Sequence, residues 1–145
     1  MVVIDASVLI KAYVPEHGSE QASALLTRLA AGELDLLAPE LLYPETGNIL
    51  WKKTLRQELT PAEAREIAEA IAALPLRIEP TRELTALALD IALETGVTVY
   101  DALYVALARI YRTSIVTADA KLVERLGGTE WARDVETLHA PPPGI

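Results

Sequence analysis

Two short, unbroken apolar runs fix what this chain can become. Val2-Val3-Ile4 stops at Asp5, and Ile115-Val116, the apolar centre of "SIVTA" (114–118), leads to Asp119. Neither run alternates with polar residues, so each reads as a strand buried on both faces, the pattern of a parallel sheet. Between them, strand-like and helix-like segments alternate. Helical segments fall at 6–13, 19–31, 40–56, 59–74, 82–95, 100–112 and 120–126. Further strands are expected at 34–37, closed by Pro39, at 76–80, and at 135–138. Thr60, Pro61 and Glu63 spell a helix start with a capping box. Gly96 and Gly127-Gly128 mark helix ends. Strands alternating with helices imply a parallel sheet of four to five strands covered on both faces, an α/β, three-layer architecture.

A chain of 145 residues is a usual size for one domain, here expected over 1–138, with 139–145 as an extended, Pro-rich tail. At 51% hydrophobic residues it can build a core and have apolar surface left for a homodimer or another protein. No apolar run reaches the ~18–20 residues a bilayer span needs, and the N-terminus lacks a basic leader. A cytoplasmic, non-membrane protein is expected. There is no cysteine, which excludes disulfides and thiolate metal sites. A net charge of −8 argues against nucleic-acid binding through a broad basic face. No Walker-type loop, dinucleotide fingerprint or Ser–His nucleophile motif is present.

Ligands in open parallel sheets bind beyond the carboxyl ends of the strands. Asp5 and Asp119 stand there. Aspartate is also a preferred helix N-cap, and the helix dipole favours a negative charge at that place. Each of the two has a hydroxyl two residues away, Ser7 and Thr117 respectively, able to orient a carboxylate. Asp101 begins an almost wholly apolar helix, "YDALYVALARI", which is therefore buried, and an acid at its first turn calls for a compensating charge. Glu45 lies where Pro44 and Gly47 break helix propensity, with Asn48 three residues on and on the same face. A kink there would decide whether Glu45 faces inward or is a solvated surface acid. Glu63, Glu66, Glu69, Asp90 and Glu94 fall on polar helix faces.

The blocks "VVIDASVLIKAY", "APELLYPETGNILWK", "TVYDALYVALA" and "SIVTADAKL", in this order, resemble the PIN domain, and most closely the VapC-type toxins of toxin–antitoxin pairs. The resemblance runs from residue 2 to about residue 126. It implies a small three-layer α/β fold and a Mg²⁺- or Mn²⁺-dependent ribonuclease site. Asp5, Glu45, Asp101 and Asp119 fall on the family's four acids, Asn48 on the asparagine of the second block, Ser7 on the small polar position after the first acid, and Thr117 on the hydroxyl neighbour of the fourth. It further implies an RNA substrate, a homodimer and a cognate antitoxin.

The chemistry suits those residue types. Mg²⁺ prefers oxygen donors and commonly takes one or two carboxylates plus waters and phosphate. Two carboxylates ~4 Å apart at an effective dielectric of ~20 repel by about 4 kcal/mol, so a crevice of acids takes up a cation or a proton. Asp5 and Asp101 are expected as primary ligands, Asp119 as completing that site or a second one, and Glu45 as the group that orients or deprotonates the attacking water. Lys11, Lys52 and Lys121 are the nearest bases along the sequence for substrate phosphates. The alternatives are a catalytically silent PIN-like module that binds RNA or protein, and a phosphoryl-accepting or DxD-type Mg²⁺ domain. Ser7 in place of an acid two residues after Asp5 speaks against the latter.

Overall fold

The structure, a computed structural model, describes residues 1–138. The expected tail at 139–145 lies outside the described residues. In chain order the elements are β1 (Val2–Ile4), α1 (Ala6–Lys11), α2 (Ser19–Ala30), β2 (Leu36–Pro39), α3 (Leu42–Leu55), α4 (Pro61–Ala73) and β3 (Arg77–Glu79), then α5 (Thr81–Thr95), α6 (Val99–Ile110), β4 (Ile115–Thr117), α7 (Ala120–Leu126), a 3-10 turn (Glu130–Asp134) and β5 (Val135–Thr137). The five strands form one parallel sheet in the order β3-β2-β1-β4-β5.

Neighbouring strand residues point to opposite faces of a sheet. Val3 and Ile4, Leu36 and Leu37, and Ile115 are all fully buried, so helices cover both faces at the centre. The edge strands carry Arg77, Glu79 and Glu136 instead, and polar edges discourage pairing with another chain. The apolar helix foreseen around Asp101 is the central one. Residues 102–108 of α6 are buried in unbroken succession, packed on α5 and on β1, β2 and β4. On α1, which packs on α3 and β4, Val8, Leu9 and Ile10 are buried. The capping box of α4 forms as its residues dictate: Glu63 N–H donates to Thr60 Oγ1 at 3.1 Å, and Thr60 N–H donates to Glu63 Oε1 at 2.9 Å.

One strand boundary needs correction, and the open question at Pro44 and Gly47 is answered. The second strand lies at Leu36–Pro39, two residues later than read from the sequence. Register explains why proline is tolerated: Val3 pairs with Leu37, so Pro39 extends past the end of β1, where no ladder bond is lost. On the other side the pairing with β3 is closed by Glu40 N–H, which donates to Glu79 O at 3.0 Å. The helix read at 40–56 forms as α3 and runs through both Pro44 and Gly47 without interruption. Pro44 sits in the first turn, whose N–H groups have no intrahelical acceptor, so its missing donor costs nothing. The first full helical bond is the one after it, from Glu45 N–H to Leu41 O at 3.1 Å.

Candidate active site

Strands β2 and β3 extend the sheet to one side of β1, and β4 and β5 to the other, so the order of the strands reverses between β1 and β4. That is the topological switch point at which open α/β sheets bind ligands. Asp5 follows the last residue of β1, and Thr117 is the last residue of β4. Because Ile4 pairs with Val116, the next residues along, Asp5 and Thr117, are neighbours.

Asp5 and Asp119 are N-caps, as their positions require. Asp5 Oδ1 accepts from Val8 N–H at 3.0 Å and from Ser7 Oγ–H at 2.7 Å. Asp119 Oδ1 accepts from the N–H groups of Lys121 at 2.9 Å and Leu122 at 3.3 Å. Asp101 is not a cap. Thr98 caps α6, accepting from Asp101 N–H at 3.1 Å.

A cavity of about 170 Å³ opens at the switch point, lined by Asp5, Ser7, Glu45, Asp101, Tyr104 and Asp119 among others. Acids from four separate parts of the chain therefore share one space. At about 30 Å³ per water, the space suits a cation with a few of its waters and is too small for a whole nucleotide. Capping and cavity lining coexist, since a carboxylate has lone pairs for both.

The electrostatics follow from crowding. Burial pushes the Asp5 carboxyl above its ordinary range, the charge of Asp119 adds to the rise, and hydrogen bonds from Thr117, Ser7 and Val8 oppose it. Burial also raises Glu45, with further pressure from Asp101 and Asp5. Asp101 is raised by burial and by Asp119, against the pull of Thr98 and Arg125. Neutralisation by protons or by a cation relieves all three.

Thr117 is placed differently from the expectation. Its hydroxyl donates to Asp5 Oδ2 across the sheet, not to the Asp119 carboxylate. Its oxygen also accepts from Asp119 N–H at 3.0 Å, so one side chain ties the two acid-bearing strand ends together. Asn48 is exposed and lies in an adjoining groove with Glu45 and Asp101, making no hydrogen bond to either among the described residues. Lys11 is engaged elsewhere, with His17 O at 2.9 Å and Glu16 at 3.5 Å.

Tyr104 was not singled out from the sequence. Its hydroxyl donates to Glu45 Oε1 at 2.5 Å and fixes the α3 acid against α6. Burial and the surrounding carboxylates push its own phenol far above the ordinary range, so it stays a donor. The available signal was a tyrosine one turn after Asp101 in a buried helix: a buried phenol needs a partner.

Oxygen donors of this kind fit a hard divalent cation. Among the described residues no three acidic or histidine side chains are drawn together closely enough to enclose an ion. The carboxylates of Asp5, Glu45 and Asp119 are each held by hydrogen bonds at the cavity wall. Such a wall fits an ion that keeps several waters, as Mg²⁺ does, better than one that demands a complete protein cage.

The PIN domain family model matches residues 2–127. The chain belongs to the PIN-domain family and, within it, to the VapC type. Ribonuclease VapC3 of Pyrobaculum aerophilum is 38% identical over 125 residues, covering 85% of this chain and 92% of the relative. Ribonuclease VapC1 of Mycobacterium tuberculosis is 32% identical over 133 residues, covering 86% and 90%. The PIN fold is also that of a crystal structure from Pyrobaculum aerophilum, with a TM-score of 0.69 at 22% identity over 94% of this chain and 83% of that one. A toxin–antitoxin complex from Klebsiella pneumoniae contains a chain similar at a TM-score of 0.64 and 15% identity, over 97% of this chain and all of that one. Among the described residues of this PIN domain, no single helix is long and apolar enough to cross a membrane.

Proposed function

We propose that this PIN domain is a Mg²⁺- or Mn²⁺-dependent ribonuclease acting as the toxin of a toxin–antitoxin pair in the cytoplasm. One observation carries the reading: acids from the ends of β1, α3, α6 and β4 line a single cavity at the switch point of the sheet. The relatives' ribonuclease names agree with it.

Asp5, Asp101 and Asp119 would hold the cation. When bound, it would supply Lewis-acid polarisation of the phosphodiester and charge neutralisation of the leaving oxygen. Ser7 and Thr117 keep Asp5 oriented through hydrogen bonds to opposite carboxylate oxygens. Tyr104 occupies Oε1 of Glu45, leaving Oε2 to position the attacking water and take its proton. In the metal-free chain burial and the neighbouring acids raise the Glu45 carboxyl, the direction that suits a proton acceptor. The water attacks phosphorus in line, the P–O bond to the leaving oxygen breaks, and that oxygen gains a proton from solvent.

A homodimer and an antitoxin belong to the same reading. Large apolar side chains are offered for them: Trp51 and Leu55 on α3 are 56% and 63% exposed, and Leu93 on α5 is 77% exposed. The deciding experiment is cleavage of RNA by the purified chain with Mg²⁺ or Mn²⁺, against Asp5→Asn and against chelator. Cleavage confined to the metal-loaded wild type supports the proposal. Metal binding with no cleavage moves the chain to the silent RNA- or protein-binding reading.

A further inference from the structure

We infer that the groove beside the acid cavity is a subsite for an unpaired nucleobase of the RNA, with the ring of Tyr100 as its stacking platform and Lys52 as the contact for a flanking phosphate. The inference rests on the ribonuclease reading and deepens it.

The groove holds about 480 Å³ and adjoins the cavity, with Glu45, Ile49 and Asp101 lining both. Its two walls are extensions of the acids. On α3, Glu45, Asn48 and Lys52 succeed one another at helical spacing, so one face carries a carboxylate, an amide and an ammonium in a row. Lys52 stands seven residues from Glu45, about 10 Å along the helix axis. That separation takes it past the scissile phosphate toward the next one. On α6, Tyr100 directly precedes Asp101 and lines the opposite wall with Thr98.

The two outer groups are unspent. Tyr100 is 63% exposed, and its hydroxyl makes no hydrogen bond among the described residues. Lys52 makes no ion pair among the described residues, whereas Lys11 and Lys53 are both tied to Glu16. A bare aromatic face beside a metal-type cavity too small for a nucleotide divides the labour: phosphate inside, base outside. Proteins that read single-stranded RNA stack bases on aromatic rings and meet phosphates with lysine or arginine. In a chain of net charge −8, an unpaired lysine lining the groove supplies positive charge where an RNA backbone would pass.

The test is steady-state cleavage of single-stranded RNA oligonucleotides in Mn²⁺ by wild type, Tyr100→Ala, Tyr100→Phe, Tyr100→Trp and Lys52→Gln. In parallel, binding of a labelled RNA in Ca²⁺ is read by fluorescence anisotropy. Tyr100→Ala should raise KM about tenfold with kcat changed much less, while the Phe and Trp variants stay within about threefold of wild type. An abasic ribose at one position beside the scissile phosphate should weaken wild type by the same factor and leave Tyr100→Ala unaffected. Lys52→Gln should lower the slope of log affinity against log salt by about 1. Equal KM and equal RNA affinity for wild type and Tyr100→Ala would overturn the subsite. So would a loss in Tyr100→Ala that adds to the abasic penalty at every position. A wild type that binds RNA but never cleaves it fails the nuclease reading alone, and the anisotropy comparison still decides the subsite.

Discussion

Thr117, the last residue of β4, donates its hydroxyl hydrogen to Oδ2 of Asp5, the residue that follows β1. Both groups are buried, Thr117 completely. With Oδ1 already taken by Ser7 and Val8, this bond settles the second oxygen of the carboxylate and hence the direction it presents to the cavity. Thr117→Val keeps the shape and removes the donor. Groups that orient a metal ligand typically contribute 10–100-fold in metal affinity. Calorimetric titration with Mn²⁺ should show a loss of that order for Thr117→Val and near-native affinity for Thr117→Ser. Unchanged affinity in the valine variant would mean that Asp5 needs no such support.

The metal-free protein should lose stability as pH rises. Asp5, Glu45 and Asp101 are all raised, chiefly by burial, so the folded chain holds their protons more tightly than the unfolded chain does. A raised carboxyl therefore favours the fold at low pH, and the benefit is lost as pH climbs through the native values. The window opens near the ordinary carboxylate range, about 4, and extends upward. In chelator, Tm should decline from pH 5 to pH 8. Mn²⁺ or Mg²⁺ should restore it at pH 8, because an ion bound only by the folded state stabilises it by about 2.7 kcal/mol at 100 times Kd. A metal-free Tm that climbs steadily with pH over that interval contradicts the raised carboxyls.

Tyr104→Phe should shift the pH dependence of catalysis without dismantling the cavity. The phenol is the group that draws the Glu45 carboxyl downward against burial. Removing the hydroxyl leaves the ring in place, so packing on α6 persists. Glu45 then rises further, and the acid limb of kcat/KM against pH should move to higher pH. The mutant should also be slower at neutral pH, since Glu45 loses its anchor. A superimposable pH profile would show that Glu45 is not the group of the free enzyme whose titration sets the acid limb.

The parts of this site legible in the sequence are those fixed by local rules. Asp5 and Asp119 could be placed because each follows an apolar run too short and too continuous to be anything but an inner strand. Asp101 could be placed because a seven-residue buried stretch follows it. The hydroxyl of Thr117 could not be assigned, because its acceptor lies 112 residues away and is chosen by the register of β1 against β4. Tyr104 escaped notice for the same reason: its partner is 59 residues distant, on a helix whose rotation only tertiary packing sets. Whether Pro44 and Gly47 turn Glu45 away from the site stayed open in the sequence, because helix propensity does not say where in the helix a proline falls. Position within the first turn decides what a proline costs, and one residue of offset at the helix start changes the outcome.

Gly47→Ala should stabilise the protein and leave the cavity unchanged. Gly47 lies inside α3, exposed, beside Trp51 in a groove toward α4 and not in the acid cavity. Its φ is not in the left-handed region, and a Cβ built there meets no atom within 4 Å. No close approach or special backbone conformation therefore requires glycine, and its remaining effect is entropic, about 0.5–1 kcal/mol against the helix relative to alanine. For a domain of this size that amounts to a Tm gain of about 2–4 °C, readable by differential scanning calorimetry of the isolated chain. RNA cleavage by Gly47→Ala should match wild type, because Glu45 keeps its place in the first turn and its bond to Tyr104. A lower Tm in the isolated variant would mean that α3 is strained there in a way its backbone angles do not reveal.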